Sequence, residues 1–213
     1  MRIERRFCGP PDSGNGGVTA GMLAAYVDAA VVEVTLRKPP PLETELRVAD
    51  GALYDGDVLV AQALPGSVDL TPPAPVDVAR AAEAEKRFAG LVAHPFPTCF
   101  VCSPTREDGL RITAGPVGDG VVAATWTPVD EDPVMVWAAL DCPGGWSCDL
   151  PGRPMVLGRM ACRTDALPAP GERQVVMGWH LGSEGRKVRT GSALYDASGR
   201  VLAVAAATWI ALS

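Results

Sequence analysis

The sequence predicts an α+β protein in which two antiparallel sheets each wrap around an apolar central helix, or in which one continuous sheet does so with each half curled around its own helix. The order of helix, alternating strand and proline-rich turn occurs twice, and the related segments ALYDGDVLVAQA and ALYDASGRVLAVAAA close the two passes. The helical stretches are so apolar that each must be enclosed by its own strands. With 213 residues and 47% hydrophobic content, the chain has enough apolar material to bury such cores.

The first pass, assigned to residues 1–72, contains a helix, a strand and a hairpin. A glycine pair opens the helical stretch GNGGVTAGMLAAYVDAA, VVEVTLRK alternates as a strand does, and PPPLETEL is typical of a turn. The segment ALYDGDVLVAQA predicts two strands around an Asp/Gly turn, and ALYDASGRVLAVAAA predicts the same at the end of the second pass. Because the second pass contains about one hairpin more, the first is interpreted as a reduced copy.

Residues 73–95 are predicted to link the two passes. The start of this segment is rich in proline, and Val76 to Phe88 has the pattern of an amphipathic helix with mainly polar faces. We expect its charges to form a solvated surface.

The second pass is assigned to residues 96–213. The segment GVVAATWTPV predicts a strand, WAALDCPGGWSCDL a helical stretch with a second glycine pair, and PMVLGRMACRT the following strand. The extra hairpin is RQVVMGWHLGSEGRKVRTG, two strands around a glycine turn. We expect both glycine pairs, Gly16–Gly17 and Gly144–Gly145, to lie at the starts of their helices.

Charge and apolar patterning exclude several classes of partner. The formal charge of −6 argues against nucleic-acid binding, which requires a concentrated basic face. A small anionic ligand such as a CoA ester remains compatible, because a few local arginines suffice to hold its phosphates. No secretory signal and no apolar stretch long enough for a bilayer is evident, so we expect a cytoplasmic protein that does not bind membranes.

Cysteine usage predicts reduced, mostly buried thiols. Cys99 and Cys102 form a CxxC pair shortly after His94. A zinc site normally needs a fourth ligand and usually a second closely spaced pair, and neither is evident nearby. The sequence therefore predicts no metal site, and no βαβ context supports a redox role for the pair.

Three parts of the sequence resemble the hotdog-fold superfamily, in particular the double-hotdog acyl-CoA thioesterase-like proteins. They are NGG before the first helix, LRKPPPLETEL after it, and the stretch from WAALDCPGG through GRKVRTGSALYDASGRVLAVAAATW. The resemblance covers nearly the whole chain except the linker, and implies a double hotdog fused in one chain. It further implies an acyl thioester bound between the two units, no cofactor, and association into a homodimer or higher homo-oligomer.

The resemblance also implies two catalytic residues. Proteins of the acyl-CoA thioesterase II type carry an Asp at the start of the second helix, which Asp141 matches, and a carboxylate there could orient or deprotonate water. The alternative for Asp141 is a helix cap or a turn made with Pro143. Thr208 is the only polar side chain in AVAAATW, the last-strand stretch where that type holds water with a Gln.

Backbone donors are expected to bind the thioester carbonyl. The helix starts at Gly16, Gly17, Gly144 and Gly145 would present N–H groups without a Cβ in the way, at the positive end of a helix dipole. The Asn15 amide matches a residue that binds the carbonyl in related proteins, although Asn before a glycine pair is equally explained as turn chemistry.

Two further groups are candidates for substrate binding. Trp137 and Trp146 flank Asp141 and are expected to wall an acyl or aryl pocket, although buried indoles more often belong to a core. Arg186 and Lys187 could grip CoA phosphates, or protect an edge strand from unwanted pairing.

The sequence thus favours a thioester hydrolase acting on a small or medium acyl group. The alternative is a hotdog protein that binds an acyl thioester or lipid-like ligand without hydrolysis, since the water-holding Gln is missing. Neither His94 nor His180 is at a predicted helix start, which disfavours a dehydratase. No GxSxG motif occurs, which disfavours a serine hydrolase.

Overall fold

A computed structural model describes residues 1–212. In that range the helices are Gly16–Ala24 (α1), Val78–Glu85 (α2) and Pro133–Trp146 (α3), with 3₁₀ turns at Arg5–Phe7 and Ala89–Leu91. The strands are Val31–Leu36 (β1), Arg47–Ala49 (β2), Ala52–Asp55 (β3), Val58–Pro65 (β4), Gly115–Gly118 (β5), Val121–Trp126 (β6), Met155–Thr164 (β7), Gln174–Glu184 (β8), Lys187–Tyr195 (β9) and Val201–Ala211 (β10).

The strands of residues 1–212 form one ten-stranded antiparallel sheet in the order β2-β3-β4-β1-β7-β10-β9-β8-β6-β5. Strand β1 pairs with β7, with Val34 opposite Met160. Of the two predicted arrangements, the described residues therefore form the one continuous sheet. Pairing of β1 with β7 satisfies backbone groups that two separate sheets would have left as open edges.

Both central helices lie on the same side of this sheet and pack against each other. α1 contacts β1, β4 and β7, and α3 contacts β6, β8, β9 and β10 and also β7. Glycines permit the close crossing: a Cβ added at Gly17 would lie 2.6 Å from the Cβ of Asp141, and one added at Gly21 would lie 2.9 Å from the Cβ of Trp137.

The ends of both helices differ from the prediction. α1 ends at Ala24, within the predicted helical stretch, and β1 begins at the β-branched pair Val31–Val32. α3 begins at Pro133, and its N-cap Asp132 accepts a hydrogen bond from the Val134 N–H. The expectation that Gly144 and Gly145 begin a helix is wrong, because they lie at its carboxyl end.

The segment between the passes covers the opposite face of the sheet. Ala81 and Ala84 of α2 are fully buried, and Glu85 Oε1 accepts hydrogen bonds from the Thr125 N–H and hydroxyl, both at 2.6 Å. The Tyr195 hydroxyl donates to the Pro73 carbonyl at 2.7 Å. The predicted helix exists, and its charged side chains Arg80, Glu83, Lys86 and Arg87 are exposed as expected, while its alanine face is part of a second core.

The predicted hairpins β3–β4, β8–β9 and β9–β10 are confirmed. Their turns contain Gly56, Gly185 and Gly199, all at positive φ, where a residue without Cβ is favoured. Across the range 1–212 no helix combines the length and the hydrophobicity needed to cross a bilayer.

Candidate active site

A cavity of about 440 Å³ lies where the start of α1, the end of α3 and strands β7 and β10 meet the loop that contains the CxxC pair. Its size is within the range of small-molecule sites, and most of its walls are apolar. The polar or ionisable side chains that it exposes include Asn15, Arg37, Lys38, Cys99, Cys102 and Asp141.

The Asp141 carboxylate projects from the interior of α3 to the start of α1. Its Oδ2 accepts hydrogen bonds from the Gly17 N–H and from the Asn15 side-chain Nδ2, both at 3.0 Å. Asn15 Oδ1 caps α1 by accepting the Val18 N–H at 2.9 Å. The prediction that Asp141 lies at the start of its own helix is therefore wrong. Its carboxylate lies instead at the electropositive start of the other central helix, α1.

The second oxygen of the same carboxylate is free. Asp141 is 2% exposed, and among residues 1–212 its Oδ1 has no hydrogen-bond partner. Burial raises the pKa of Asp141 to about 7, although the hydrogen bonds from Gly17 and Asn15 act in the opposite direction. A free, desolvated carboxylate oxygen at a cavity wall is suited to accept a proton.

The start of α1 has one donor left for a ligand. Gly17, predicted to face the thioester carbonyl, gives its N–H to Asp141. Gly16 lines the cavity, and within the described residues its N–H has no acceptor. Of the predicted glycine donors, only Gly16 therefore has a free N–H at the cavity lining formed by residues 1–212, where it could bind a ligand.

The glycine pair at the end of α3 does not line the cavity formed by residues 1–212. A Cβ added at Gly144 would lie 2.5 Å from Thr190 Oγ1, and one added at Gly145 would lie 3.0 Å from the Trp209 ring. These glycines let the end of α3 pack closely against β9 and β10.

The two tryptophans that flank Asp141 have different positions. Trp146 lines the cavity, with its ring centroid 4.9 Å from that of His94 and 4.4 Å from that of Phe88. Trp137 is buried at the crossing with α1 and is not among the described residues that line the cavity.

Three other predicted residues lie outside the cavity lining of residues 1–212. Thr208 is half-buried in β10, between Arg159 of β7 and Arg189 of β9. Arg186 and Lys187 are exposed at the β8–β9 turn, where Arg186 Nε donates to the Ala211 carbonyl at 3.0 Å.

The basic groups that do line the cavity are Arg37 and Lys38, at the end of β1. Both lie in LRKPPPLETEL, one of the segments on which the resemblance to the hotdog superfamily rests, so the sequence did draw attention to this segment. Their place at the cavity depends on β1 lying beside β7, which residue types alone did not indicate.

Three cysteines meet at the same cavity. The Sγ atoms of Cys99, Cys102 and Cys142 all lie within 4.8 Å of one another, and those of Cys99 and Cys142 are 3.7 Å apart. Hydrogen bonds from the Cys102 and Cys142 side chains hold the pKa of Cys99 well below its usual range, whereas burial raises the pKa of Cys102. The sequence did not connect Cys142 with the CxxC pair.

No protein-family model and no curated protein matches the sequence. Solved structures do match the fold. A proposed thioesterase II from Thermobifida fusca YX is 13% identical, with a TM-score of 0.63 over 100% of this chain and 92% of that one. The tesB protein of Mycobacterium avium subspecies paratuberculosis is 10% identical, with a TM-score of 0.59 over 97% and 90%.

A third match is a conserved protein of unknown function with the hot dog fold from Alicyclobacillus acidocaldarius. It is 11% identical, with a TM-score of 0.60 over 100% of this chain and 92% of that one. At these identities the likeness is one of fold. The chain therefore has the hotdog fold, as its sequence predicted.

Proposed function

We propose that this chain hydrolyses CoA-type thioesters of small or medium acyl groups, with Asp141 as the base that activates water. The observation that carries the proposal is the unequal use of the carboxylate. Oδ2 is fixed by Gly17 and Asn15, while Oδ1 is buried and unpartnered at the wall of an apolar cavity. The fold neighbour from Thermobifida fusca YX, a proposed thioesterase II, supports the same reaction class.

In the proposed reaction, Asp141 Oδ1 removes a proton from water while the water oxygen attacks the thioester carbonyl carbon. The carbonyl oxygen becomes an oxyanion, which the Gly16 N–H and the positive end of α1 stabilise. The intermediate collapses with cleavage of the C–S bond. The leaving thiolate takes the proton from Asp141, which yields a carboxylic acid and a free thiol.

Substitution of Asp141 by Asn tests the role of the base. Asp141→Asn keeps the size of the side chain and removes its basic oxygen, so we expect kcat for short acyl-CoAs to fall about 10²- to 10⁴-fold. The assay is release of free thiol. Asp28→Asn, at an exposed position beyond α1, is the matched control and is expected to keep the wild-type rate.

The test has an outcome that rejects the mechanism. Wild-type turnover by a folded Asp141→Asn protein would remove this carboxylate from the reaction. Circular dichroism on both variants distinguishes a lost base from a lost fold.

The position of Thr208 favours a second candidate function, which is binding of an acyl thioester or lipid-like ligand without hydrolysis. Among residues 1–212, Thr208 is outside the cavity lining, so of the two predicted catalytic residues only Asp141 lines the cavity. Thermal stabilisation of the wild-type chain by acyl-CoAs, together with no thiol release, would favour this function over hydrolysis.

We also propose that the continuous sheet is a double hotdog, with the first unit in residues 1–72, a linker in 73–95 and the second unit in 96–213. The first unit would be the reduced one, since it contributes four of the ten strands formed by residues 1–212. Each unit has its own central helix, which supports this division.

Association into a homodimer or higher homo-oligomer is proposed through the outer face of the first unit. In the second unit that face is covered by α2, whereas Leu64 of β4 is 51% exposed. Light scattering on the purified protein tests this, and a monomer at micromolar concentration would contradict it.

A further inference from the structure

The cysteine cluster at the cavity wall is built from two distant parts of the chain. Cys99 and Cys102 come from the loop before β5, and Cys142 comes from α3. All three side chains are buried, and all three line the cavity that contains Asp141. The proposed hydrolysis uses none of them.

The spacing of the sulfurs fits a tetrahedral ion. Zinc binds thiolate sulfur at about 2.3 Å, so two sulfurs on one tetrahedral zinc lie about 3.8 Å apart. Cys99 Sγ and Cys142 Sγ are 3.7 Å apart, and the third sulfur lies within 4.8 Å of both. A disulfide would require about 2.05 Å, so these are three separate thiols converging on one point.

We propose that Cys99, Cys102 and Cys142 bind one zinc ion through three thiolates, with the fourth coordination position open to the cavity. This reverses the sequence expectation of no metal site, which rested on the lack of a further ligand near the CxxC pair. α3 supplies that ligand. Thiolate sulfur selects soft or borderline ions, and among common ions Zn²⁺ suits a tetrahedral sulfur site.

His94 does not complete the site. Its Nδ1 accepts the Phe96 N–H at 3.1 Å, and its Nε2 lies 3.4 Å from the Cys102 carbonyl oxygen. Within residues 1–212, the group of potential ligands that lie close enough to share an ion consists of the three cysteines alone. Three protein ligands with the fourth place open is the pattern of zinc sites that exchange a water or a ligand.

Neighbouring groups support one of the sulfurs. Asn15 Nδ2 lies 3.8 Å from Cys99 Sγ, and the same nitrogen donates to Asp141 Oδ2. Asn15 therefore connects the sulfur cluster to the carboxylate. Such outer contacts orient ligands in metal sites.

Binding involves no redox step. Zn²⁺ displaces the thiol protons into solvent and keeps its oxidation state. An open fourth position facing the cavity would accept a water or a small thiolate. The inference goes beyond the proposed hydrolysis and stands even if the chain only binds its ligand.

The test begins with the zinc content of the full-length protein, purified without chelator under reducing conditions. We expect about one zinc ion per chain, bound in a protein of reduced thiols. Cys99→Ser, Cys102→Ser and Cys142→Ser should each weaken zinc binding at least about 100-fold, since loss of even an outer partner costs 10- to 100-fold. Cys162→Ser is the matched control, because Cys162 is also buried but its Sγ faces Thr164 Oγ1 at 3.8 Å.

Cobalt substitution of the wild-type chain gives a readout that does not depend on how the variants fold. Co²⁺ in the site should produce thiolate-to-cobalt charge-transfer absorption and the visible bands of tetrahedral coordination. Addition of a small thiol should shift those bands if the fourth position is open. Failure of the thiol to shift them would contradict the open position.

Two results would overturn the site itself. One is wild-type protein that lacks zinc and gives no charge-transfer band with Co²⁺. The other is zinc that stays bound at full affinity in the folded cysteine variants. None of these results depends on thioester turnover, so failure of the zinc site and failure of the proposed hydrolysis are distinguishable.

Discussion

Asp141 uses its two carboxylate oxygens differently, and the difference originates in residues from another part of the chain. Oδ2 is held by Gly17 and Asn15, which precede Asp141 by more than half the length of the chain. Oδ1 is buried at the cavity wall and has no hydrogen-bond partner among residues 1–212. An ionisable group is tolerated inside α3 because its hydrogen-bonded oxygen lies at the positive end of α1.

Asn15 has two roles that one substitution can separate. Asn15→Ser keeps an N-cap for α1 but removes the amide that donates to Asp141, whereas Asn15→Ala removes both. We expect Asn15→Ala to be less stable than Asn15→Ser by about 1 kcal/mol, which is the usual value of a cap. Both variants should lower kcat by at least about tenfold, because each loses a hydrogen bond to a charged group.

Denaturant unfolding and steady-state thiol release measure these two effects separately. If Asn15 only caps α1, kcat will fall only where the free energy of unfolding falls, and Asn15→Ser will be close to wild type in both quantities. Wild-type kcat in Asn15→Ser would therefore contradict a positioning role for the amide.

At the scale of elements, the end of α3 is defined by close packing against β9 and β10. Thr190 Oγ1 accepts the Trp209 Nε1 hydrogen bond at 3.1 Å, directly beside Gly144. Pro143, inside the same helix, brings its carbonyl oxygen to 2.2 Å from where a Cβ at Gly178 would lie. Gly144 and Gly145 thus contribute to core packing, whereas Cys142 and Trp146 of the same helix end line the cavity.

Gly144→Ala tests whether this glycine serves packing. A methyl group there would meet Thr190 Oγ1 and disturb its bond to Trp209, so we expect the free energy of unfolding to fall by about 1–3 kcal/mol. This loss would occur even though Ala is favoured over Gly inside a helix by about 1 kcal/mol. Thermal and denaturant unfolding provide the measurement.

A double-mutant cycle with Thr190→Ala supplies the control. If the methyl group and the hydroxyl collide, the double variant will be more stable than the two single losses predict. Strict additivity, or a Gly144→Ala protein more stable than wild type, would show that this contact does not require a glycine.

Local chemistry explains which elements were predictable from the sequence. Gly56, Gly185 and Gly199 mark the hairpin turns, and the alternating segments beside them became strands as predicted. The start of α3 also had a local signal, Asp132 followed by Pro133, which is a favoured cap and first residue. The glycine pair Gly144–Gly145 resembles the pair at the start of α1, so residue types favoured a helix start there over the one at Pro133.

The site was less predictable because its contacts join residues that are far apart in sequence. Asp141, Asn15 and Gly16 were each identified as candidates, but the bond between Asp141 and Asn15 depends on how α1 crosses α3. Cys142 reaches the CxxC pair for the same reason. Residue types and spacing indicate candidates, whereas tertiary packing decides which of them meet.

At the scale of the whole molecule, one cavity draws its walls from both parts of the sheet. The start of α1 and the end of β1 supply Gly16, Arg37 and Lys38, while α3 and β10 supply Asp141 and Trp209. The pairing of β1 with β7 brings these groups together. A ligand that fills the cavity should therefore contact both halves.

This arrangement predicts which basic residues hold the phosphates of a CoA ester. Arg37 and Lys38 line the cavity. Arg186 and Lys187 are exposed and do not belong to the cavity lining formed by residues 1–212. We expect Arg37→Ala combined with Lys38→Ala to raise KM for acyl-CoAs about tenfold, equivalent to about 1.4 kcal/mol, with little change in kcat. The Arg186→Ala, Lys187→Ala pair is the matched comparison and should raise KM less.

Truncated substrates make the assignment specific to phosphate. Acyl thioesters of N-acetylcysteamine lack the nucleotide and every phosphate group of CoA, so the Arg37 and Lys38 substitutions should leave their KM unchanged. An equal rise in KM for both substrates would mean that these residues shape the cavity rather than bind phosphate. A larger effect from the Arg186 and Lys187 pair would instead place the nucleotide at the β8–β9 turn, because loss of a phosphate contact raises KM only where the phosphate lies.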